Sequence, residues 1–583
     1  MVDLKILLLG TLFMPLAGAG AVWVVAPLGD RAVRWVALLT AVASLGFAGV
    51  VVFSTEAATQ PEFAITEIAW LANSAATPLD VRFHVGLDGL SLWLFGLSPL
   101  LTVTAIAVSW DTIRDRVALF YGMLLLLEFG CVGVFVARDI VLFYVFFEFT
   151  LIPLFFLIGV WGSEQRRYAA IKFFLFTLAG SVLTLLGLLA IVLWNANHWN
   201  GGVWTFSIPD LSTNLRLAAS EGNLPPTFQL AVFLALFAGF AIKVPLFPLH
   251  TWLPLAHVQA PAAGSVMLAG VLLKIGTYGF VRFGILMLPD AVLHPSIRVL
   301  PAALVSTFPG WGDLTVFVYP WLLVLAVVGI IYGALVALAQ DDFKRLIAYS
   351  SVSHMGFCVL GLFALNRPGL QGGTLQMINH GISTGALFAL VGMIYERYHT
   401  REISALGGLA KRLPVLSFFM LLFTFSSIGL PGLNGFAGEV LVLLGIFQRA
   451  WSQPIIGWQT LLLGIAVLAV SGVVLGAWYM LYLVQRVFFG PLKEPAGADP
   501  NASVSDLCPR EVLALCPLAV LVVWIGVAPG FFLSRMARTM NDVEAVTANA
   551  FDRHHKKYRR LWAVEHTPEG SRDAPLELSR RLP

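Results

Sequence analysis

Residues 413–447 read LPVLSFFMLLFTFSSIGLPGLNGFAGEVLVLLGIF, an almost unbroken apolar run with a glycine- and proline-rich centre. A hydrocarbon core about 30 Å thick is crossed by roughly 20 helical residues, so the run is too long for one straight span. Pro431 removes a backbone donor, and Gly429, Gly432, Gly435 and Gly438 loosen the chain around it. One span broken in the middle accounts for both features, and the break delivers an acid, Glu439, to its far side. Irregular backbone at membrane depth is tolerated only where protein buries it or it lines a wet cavity. The stretch predicts a helical membrane protein with a polar interior.

Working outward, the whole chain agrees. Apolar residues make up 58% of its 583 residues and charged residues 12%, half the charged share of an ordinary soluble domain. Mean hydropathy is +0.84. Runs long enough to span fall at 4–27, 33–53, 88–110, 117–137, 139–160, 170–194, 229–249, 260–284, 320–340, 346–365, 373–395, 413–447, 459–488 and 512–534. They are continuously apolar rather than alternating, which sets aside a β-barrel. The expected fold is all-α and polytopic, with about fourteen transmembrane helices. The first run has a weak basic flank (Asp3 beside Lys5) and is longer than a signal-peptide core, so it reads as an anchor. Cys131, Cys358, Cys508 and Cys516 show no C-x-x-C spacing, and no G-x-G-x-x-G or G-K-[ST] occurs. Nothing here argues for a disulfide framework, a zinc or iron–sulfur centre, or a nucleotide site.

A second break carries a base. In AIKVPLFPLHTWLP (241–254), Lys243 is followed by Pro245, Pro248 and Pro254. Paired interrupted helices in two halves of a chain are the sequence pointer to inverted-repeat transport proteins. Of the 36 Lys and Arg, only Lys243 and Lys274 fall deep inside runs. Glu128, Glu148 and Glu439 also lie within runs, with Asp88 and Asp139 at run ends. Each ion near mid-bilayer costs about 3 kcal/mol on insertion scales. Structural pairing between helices is one reading; a path for protons or ions is the other. Burial penalises the charged form of lysine and glutamate alike, and a nearby opposite charge restores it, so a Glu–Lys pair that can separate is a protonation switch. Lysine donates and cannot coordinate a cation, which favours protons over Na⁺. His354 in SSVSHMGF and His380 in QMINHGIS lie on successive runs among serines and Asn379, and imidazole passes protons near neutral pH. His250 and His257 have no third ligand nearby and do not read as a metal site.

Charge also sets the expected orientation. Segments 31–34, 111–116, 163–172, 341–345, 397–412 and 486–510 carry sixteen Lys and Arg; the alternate segments carry eight, and the C-terminal tail ten. The positive-inside rule makes the first set cytoplasmic and places both termini on the outer side.

FYVFFEFTLIP, KVPLFPLHTWLPLAHVQAP, AGVLLKIGTYG, DDFKRLIAYSSVSHMGF, MINHG and GLPGLNGFAGE occur in this order. Together, from about residue 85 to 490, they resemble the antiporter-like membrane-arm subunits of respiratory complex I, NADH–quinone oxidoreductase. The resemblance implies two inverted five-helix repeats and a division into 1–116 (spans 1–3), 117–284 (first repeat), 285–319 (loop), 320–488 (second repeat), 489–535 (loop and last span) and 536–583 (basic tail). It implies that Glu148, Lys243, Lys274, His354, His380 and Glu439 carry protons, loaded in the first half and passed through His354 and His380 to Glu439. Glutamate at 439, where L-like and N-like relatives usually have lysine, points to the M-type branch. The partners implied are the L-like and N-like antiporter-like subunits within the lipid bilayer of a bacterial cell membrane, with no nucleic acid. The cofactors implied (NADH, FMN, iron–sulfur clusters and quinone) belong to other subunits, and none to this chain. The alternative is a multi-chain cation/proton antiporter or a hydrogenase-type membrane complex built from the same module. The 285–319 stretch and the tail exceed what the resemblance needs, and the tail reads as a solvated extension, or else as a lipid-surface or docking segment.

Overall fold

The computed structural model describes residues 3–71, 78–292, 297–298, 315–316, 318–452, 456–495 and 504–565. Eleven of its helices are long and apolar enough to cross a membrane: Leu4–Leu28, Asp30–Val52, Val117–Val136, Ile140–Trp161, Arg166–His198, Pro226–Lys243, Ala262–Ile285, Pro320–Leu338, Arg367–Tyr398, Gln459–Phe488 and Pro509–Val527. The shorter Leu92–Val108, the more polar Phe343–Leu362 and the broken pair Pro414–Ser427 and Asn434–Trp451 complete fourteen rods, numbered here as spans 1 to 14 in chain order. Their outward faces are apolar, with Leu39, Leu175, Leu186, Val467, Val474 and Trp478 exposed where lipid tails would lie.

Both breaks form where the sequence places them. Span 7 stops at Lys243 and resumes as the short helix Trp252–Gln259, with Pro245 and Pro248 in the turn between. Pro254 falls in the first turn of that helix, where a missing N–H costs nothing. Span 12 stops at Ser427 and restarts at Asn434; Gly429 and Gly432 take φ of +73° and +90°, which only glycine adopts readily. At Gly435 a Cβ would collide with the Ser426 carbonyl, so glycine is what lets the two half-helices abut.

Spans 8 and 11 form the central axis, with every residue from 263 to 285 of span 8 buried. Their backbones touch: a Cβ on Gly381 would lie 2.7 Å from the Gly270 carbonyl oxygen. Small residues that admit such close approach are the usual glue between membrane helices. Span 8 is also locally unwound, with π-helical turns at Leu268–Leu272 and Phe280–Ile285 on either side of Leu273–Gly279. Such turns often mark functional positions.

Contacts between loops sort into two faces. On one, Arg34 donates to Ile113 O, Lys344 to Ala260 O, and Arg397 pairs with Glu511 and Arg510 with Asp111. On the other lie the antiparallel strands Glu62–Leu71 and Leu79–Asp88, a two-residue strand Trp204–Thr205, and helix Ile208–Ser220. These are the two sets of alternating segments separated by charge count. The strands depart from an all-helical chain, and alternating β-branched and aromatic residues in EFAITEIAWL and LDVRFHVGLD explain them.

The C-terminal tail is not a solvated extension as far as it is described. A 37-residue helix, Pro529–Glu565, follows span 14 and lies across the second face. It buries Met536, Met540, Val543, Thr547 and Ala550. Asp542 pairs with Arg216 at 3.0 Å, Arg553 with Asp290 at 2.9 Å, and Glu544 accepts from the Arg367 amide at 3.1 Å. The apolar stripe buries the helix and its charges find partners along the rim. Side chains beyond Arg553, with the basic HHKKYRRLW run, and most of 285–319 lie outside the described residues.

Candidate functional site

Lys274 sits in the seven-residue segment between the two π-turns of span 8 and is wholly buried. Its ammonium donates to the Ala269 carbonyl, five residues back, and lies 2.7 Å from His380 Nδ1. The Gly270–Gly381 contact brings the two together, since each residue is a short step from its glycine. An ammonium has only donors, so His380 accepts at Nδ1 and keeps its proton on Nε2. That Nε2 has no hydrogen-bond partner among the described residues. The His380 and His354 ring centres are 5.6 Å apart. His354 Nε2 meets Ser427 Oγ at 3.1 Å and the Tyr479 hydroxyl at 3.5 Å; its Nδ1 lies 3.7 Å from Glu439 Oε1. Gln376 Nε2 donates to the same carboxylate oxygen at 3.4 Å. Lys274, His380, His354 and Glu439 thus form one continuous buried file from the axis to the break in span 12.

Polar side chains surround the file. Asn379 Nδ2 donates to the Asn434 carbonyl at 2.7 Å, Ser426 Oγ to Asn434 Oδ1 at 2.5 Å, and Ser383 and Ser426 share a 2.5 Å hydroxyl contact. A cavity of about 10 Å³, the space of a single water, is lined by His354, His380, Asn379, Ser383, Thr384 and Ser427 among others. Gly429 is needed here as well, since a Cβ would sit 2.5 Å from Glu439 Oε2.

The first half is built differently. Lys243 is the last helical residue before its break, where the negative end of the half-helix favours a cation. Its buried Nζ has no hydrogen-bond partner among the described residues and stands 4.5 Å from the centre of the Phe147 ring. Glu148, the next residue, is half-buried at the end of helix Ile140–Phe149, with Oε1 unpartnered. Among the described residues no carboxylate lies within 4 Å of Lys243, so the expected Glu148–Lys243 pair is near but open. Span 7 nonetheless touches span 8 closely, because a Cβ on Gly276 would lie 2.6 Å from Val244.

The family described as NADH:quinone oxidoreductase/Mrp antiporter, TM, matches residues 137–310 and 300–466. The chain is 40% identical over 522 residues to NADH-quinone oxidoreductase subunit M of Rhodobacter capsulatus, covering 89% of this chain and 92% of that one. The chain belongs to this family. It is also 40% identical over 458 residues to NADH-ubiquinone oxidoreductase chain 4 of Chondrus crispus, covering 78% and 82%. Among solved structures it resembles a chain of respiratory complex I from Thermus thermophilus with bound NADH, with TM-score 0.75 and 31% identity over 93% of this chain and 99% of that one.

Set in this antiporter-like family, four of the six expected site residues come together and two stand beside each other without touching. The spatial order also differs from the expected one: His380 meets Lys274, and His354 meets Glu439. Tyr479, Gln376, Asn434 and Ser426 were not anticipated; unlike the serines and Asn379 beside the two histidines, none of them adjoins an ionisable group of the file in the sequence. Arg282 was counted among loop charges, yet it is buried and pairs with Asp88 at 2.6 Å while its Nε donates to Tyr278 at 3.1 Å. Its spacing in LKIGTYGFVRF, four and eight residues along from Lys274, was the available signal. Asp139 caps span 5 through Val141 N at 2.8 Å, which accounts for it structurally. No group of three or more His, Cys, Asp or Glu among the described residues is disposed to hold a metal.

Proposed function

We propose that this chain is a proton-translocating membrane-arm subunit of an NADH–quinone oxidoreductase, with Glu148, Lys243, Lys274, His354, His380 and Glu439 as its proton-carrying groups. The observation that carries the reading is the file of Lys274, His380, His354 and Glu439. An ammonium at Lys274 gives a proton to His380 Nδ1 and becomes a neutral amine, while His380 becomes an imidazolium able to release from Nε2. A bridging water, or a turn of the ring, hands that proton to His354, and His354 Nδ1 faces the Glu439 carboxylate. Each handover changes the charge beside the next group, so neighbouring protonations are coupled along the file. Electrons pass from NADH to quinone through flavin and iron–sulfur centres in other subunits of the complex. The L-like and N-like antiporter-like subunits are the proposed neighbours.

The same reading divides the chain at 117–284 and 320–488 into repeats of opposite orientation. In support, span 5 and span 10 each start at a capping aspartate, Asp139 and Asp342, on opposite faces. The sixteen-charge face is proposed to be cytoplasmic, in a bacterial cell membrane, with both termini outside. A single cysteine placed at Glu164, once the native cysteines are removed, should escape an impermeant thiol reagent in intact cells, and one at Gln60 should react. The decisive test of function is isolation of the tagged chain from its native membrane. Flavin and iron–sulfur subunits should co-purify, and NADH should drive proton uptake into inverted vesicles. An eluate holding only further antiporter chains would sink the reading.

A further inference from the structure

On the second face, a cavity of about 200 Å³ lies between the β-hairpin, helix Ile208–Ser220, the end of span 8 and the C-terminal helix. That is room for more than about ten waters. Four arginines line it, Arg138, Arg216, Arg282 and Arg538, against three carboxylates, Glu62, Asp88 and Asp542. Each carboxylate already has its own partner. Arg282 holds Asp88 at 2.6 Å, Arg216 holds Asp542 at 3.0 Å, and Arg138 pairs with Glu62. Arg538 is left with the backbone carbonyl of Thr59, and no carboxylate lies within 4 Å of it among the described residues. One guanidinium charge at the cavity is therefore unbalanced.

A second observation points the same way. The Arg138 side chain is only 7% exposed, yet its Nε has no hydrogen-bond partner among the described residues. A buried donor left unmet costs its full desolvation, more so when it is charged. Arginine has donors and no acceptor, so whatever completes Arg138 must accept. The planar guanidinium fork matches the oxygens of a phosphate, which take several donors at once. Ser212 and Thr213 add hydroxyls to the same wall. Arg138 and Arg282 also stand at the ends of spans 4 and 8, the level at which the head groups of a bilayer lie. The unbalanced charge asks for a single negative one. A phosphodiester, as in a phospholipid head group, supplies it.

We propose that this cavity binds one phosphate group, held by Arg138 from the body of the chain and Arg538 from the C-terminal helix, and that the bound group clamps that helix to the β-hairpin. The site stands apart from the proton file and does not depend on it. The test uses the assembled complex, stripped of lipid in phosphate-free detergent. The native cysteines of this chain are replaced, and Thr213→Cys puts one at an exposed point on the cavity wall. The rate at which a water-soluble thiol reagent labels this chain is measured with short-chain phosphatidylglycerol, with its phosphatidylcholine counterpart, or with inorganic phosphate. Phosphatidylglycerol should slow labelling severalfold, and phosphatidylcholine, whose choline cancels the charge, should not. In Arg538→Gln the concentration needed should rise roughly tenfold or more, the cost of one charge-assisted hydrogen bond. Added salt should raise it too. Arg138→Gln leaves Glu62 unpaired and can disturb assembly, so the surface position Arg538 carries the test. Protection by phosphatidylglycerol alone supports the site with a lipid head group as occupant; equal protection by inorganic phosphate supports it with free phosphate. No protection by either, equal protection by phosphatidylcholine, or protection unchanged in Arg538→Gln overturns the proposal.

Discussion

Lys243 and Glu439 hold corresponding places, each beside the break of its span, yet they are supported in opposite ways. Lys243 relies on a helix end and the face of Phe147, with no hydrogen bond and no carboxylate within 4 Å among the described residues. Glu439 lies within a mesh: Gln376 donates to it, His354 stands beside it, and Ser427 and Tyr479 both hold His354. A cation over a ring in a dry site gains about 2 kcal/mol, but that support is single. The second half spreads its support over several partners, and such networks are worth more than their pairwise deletions suggest. On the proposed proton-carrying reading, the first half would change state when one charge moves, and the second would conduct whatever reaches it. Lys274 joins them, because it touches His380 directly and lies on the helix that packs on span 7.

The largest effect belongs to that joint. Lys274→Met removes the only described group bridging the axis to the histidines and should reduce vesicle proton uptake at least tenfold with the complex still assembled. Retained uptake would show that the halves communicate by another route and would break the comparison. Next comes Glu439→Gln, which keeps the Gln376 contact but cannot exchange a proton; most pumping should be lost. Glu439→Lys restores a titratable group and should recover less than half, because His354 would then face a cation. Full activity in the Gln variant would make Glu439 a packing carboxylate.

Third in size is Phe147→Leu. Losing the ring leaves Lys243 with only the helix end, and a cost of about 1–2 kcal/mol predicts a several-fold fall in uptake, with Phe147→Tyr nearer to wild type. Equal behaviour of Leu and wild type would mean the first half has support that is not the ring.

Much of this was legible. The two breaks, the fourteen runs and all four members of the contacting file were marked by residues that an apolar run has no reason to hold. What pairs them was not. Gly270 and Gly381 lie 111 positions apart in the chain, and nothing local says that their backbones meet and so press Lys274 onto His380. The Glu148–Lys243 pair was expected as a switch whose members can separate, and the sequence did not say that the ring of Phe147 would stand at the lysine. The tail was misjudged by counting its basic residues rather than reading Met536, Met540, Val543, Thr547 and Ala550 as one helical stripe.

The smallest expected effect tests redundancy in the second half. Ser427→Ala removes the 3.1 Å partner of His354 Nε2, but the Tyr479 hydroxyl is already 3.5 Å away and can close the gap. Proton uptake should change by about twofold or less, consistent with a net value near 1 kcal/mol for a replaceable hydrogen bond. Tyr479→Phe alone should be equally mild. The double variant leaves Nε2 without a described partner in a buried site and should lose far more than the two single losses combined, as expected for neighbours sharing one acceptor. The readout is the double-mutant cycle of uptake per quinone reduced. Additive small losses would mean that neither hydroxyl orients His354, and the second half would then be as sparsely supported as the first. A large loss from Ser427→Ala alone would instead make it a chain of single contacts, and the contrast with Lys243 would disappear.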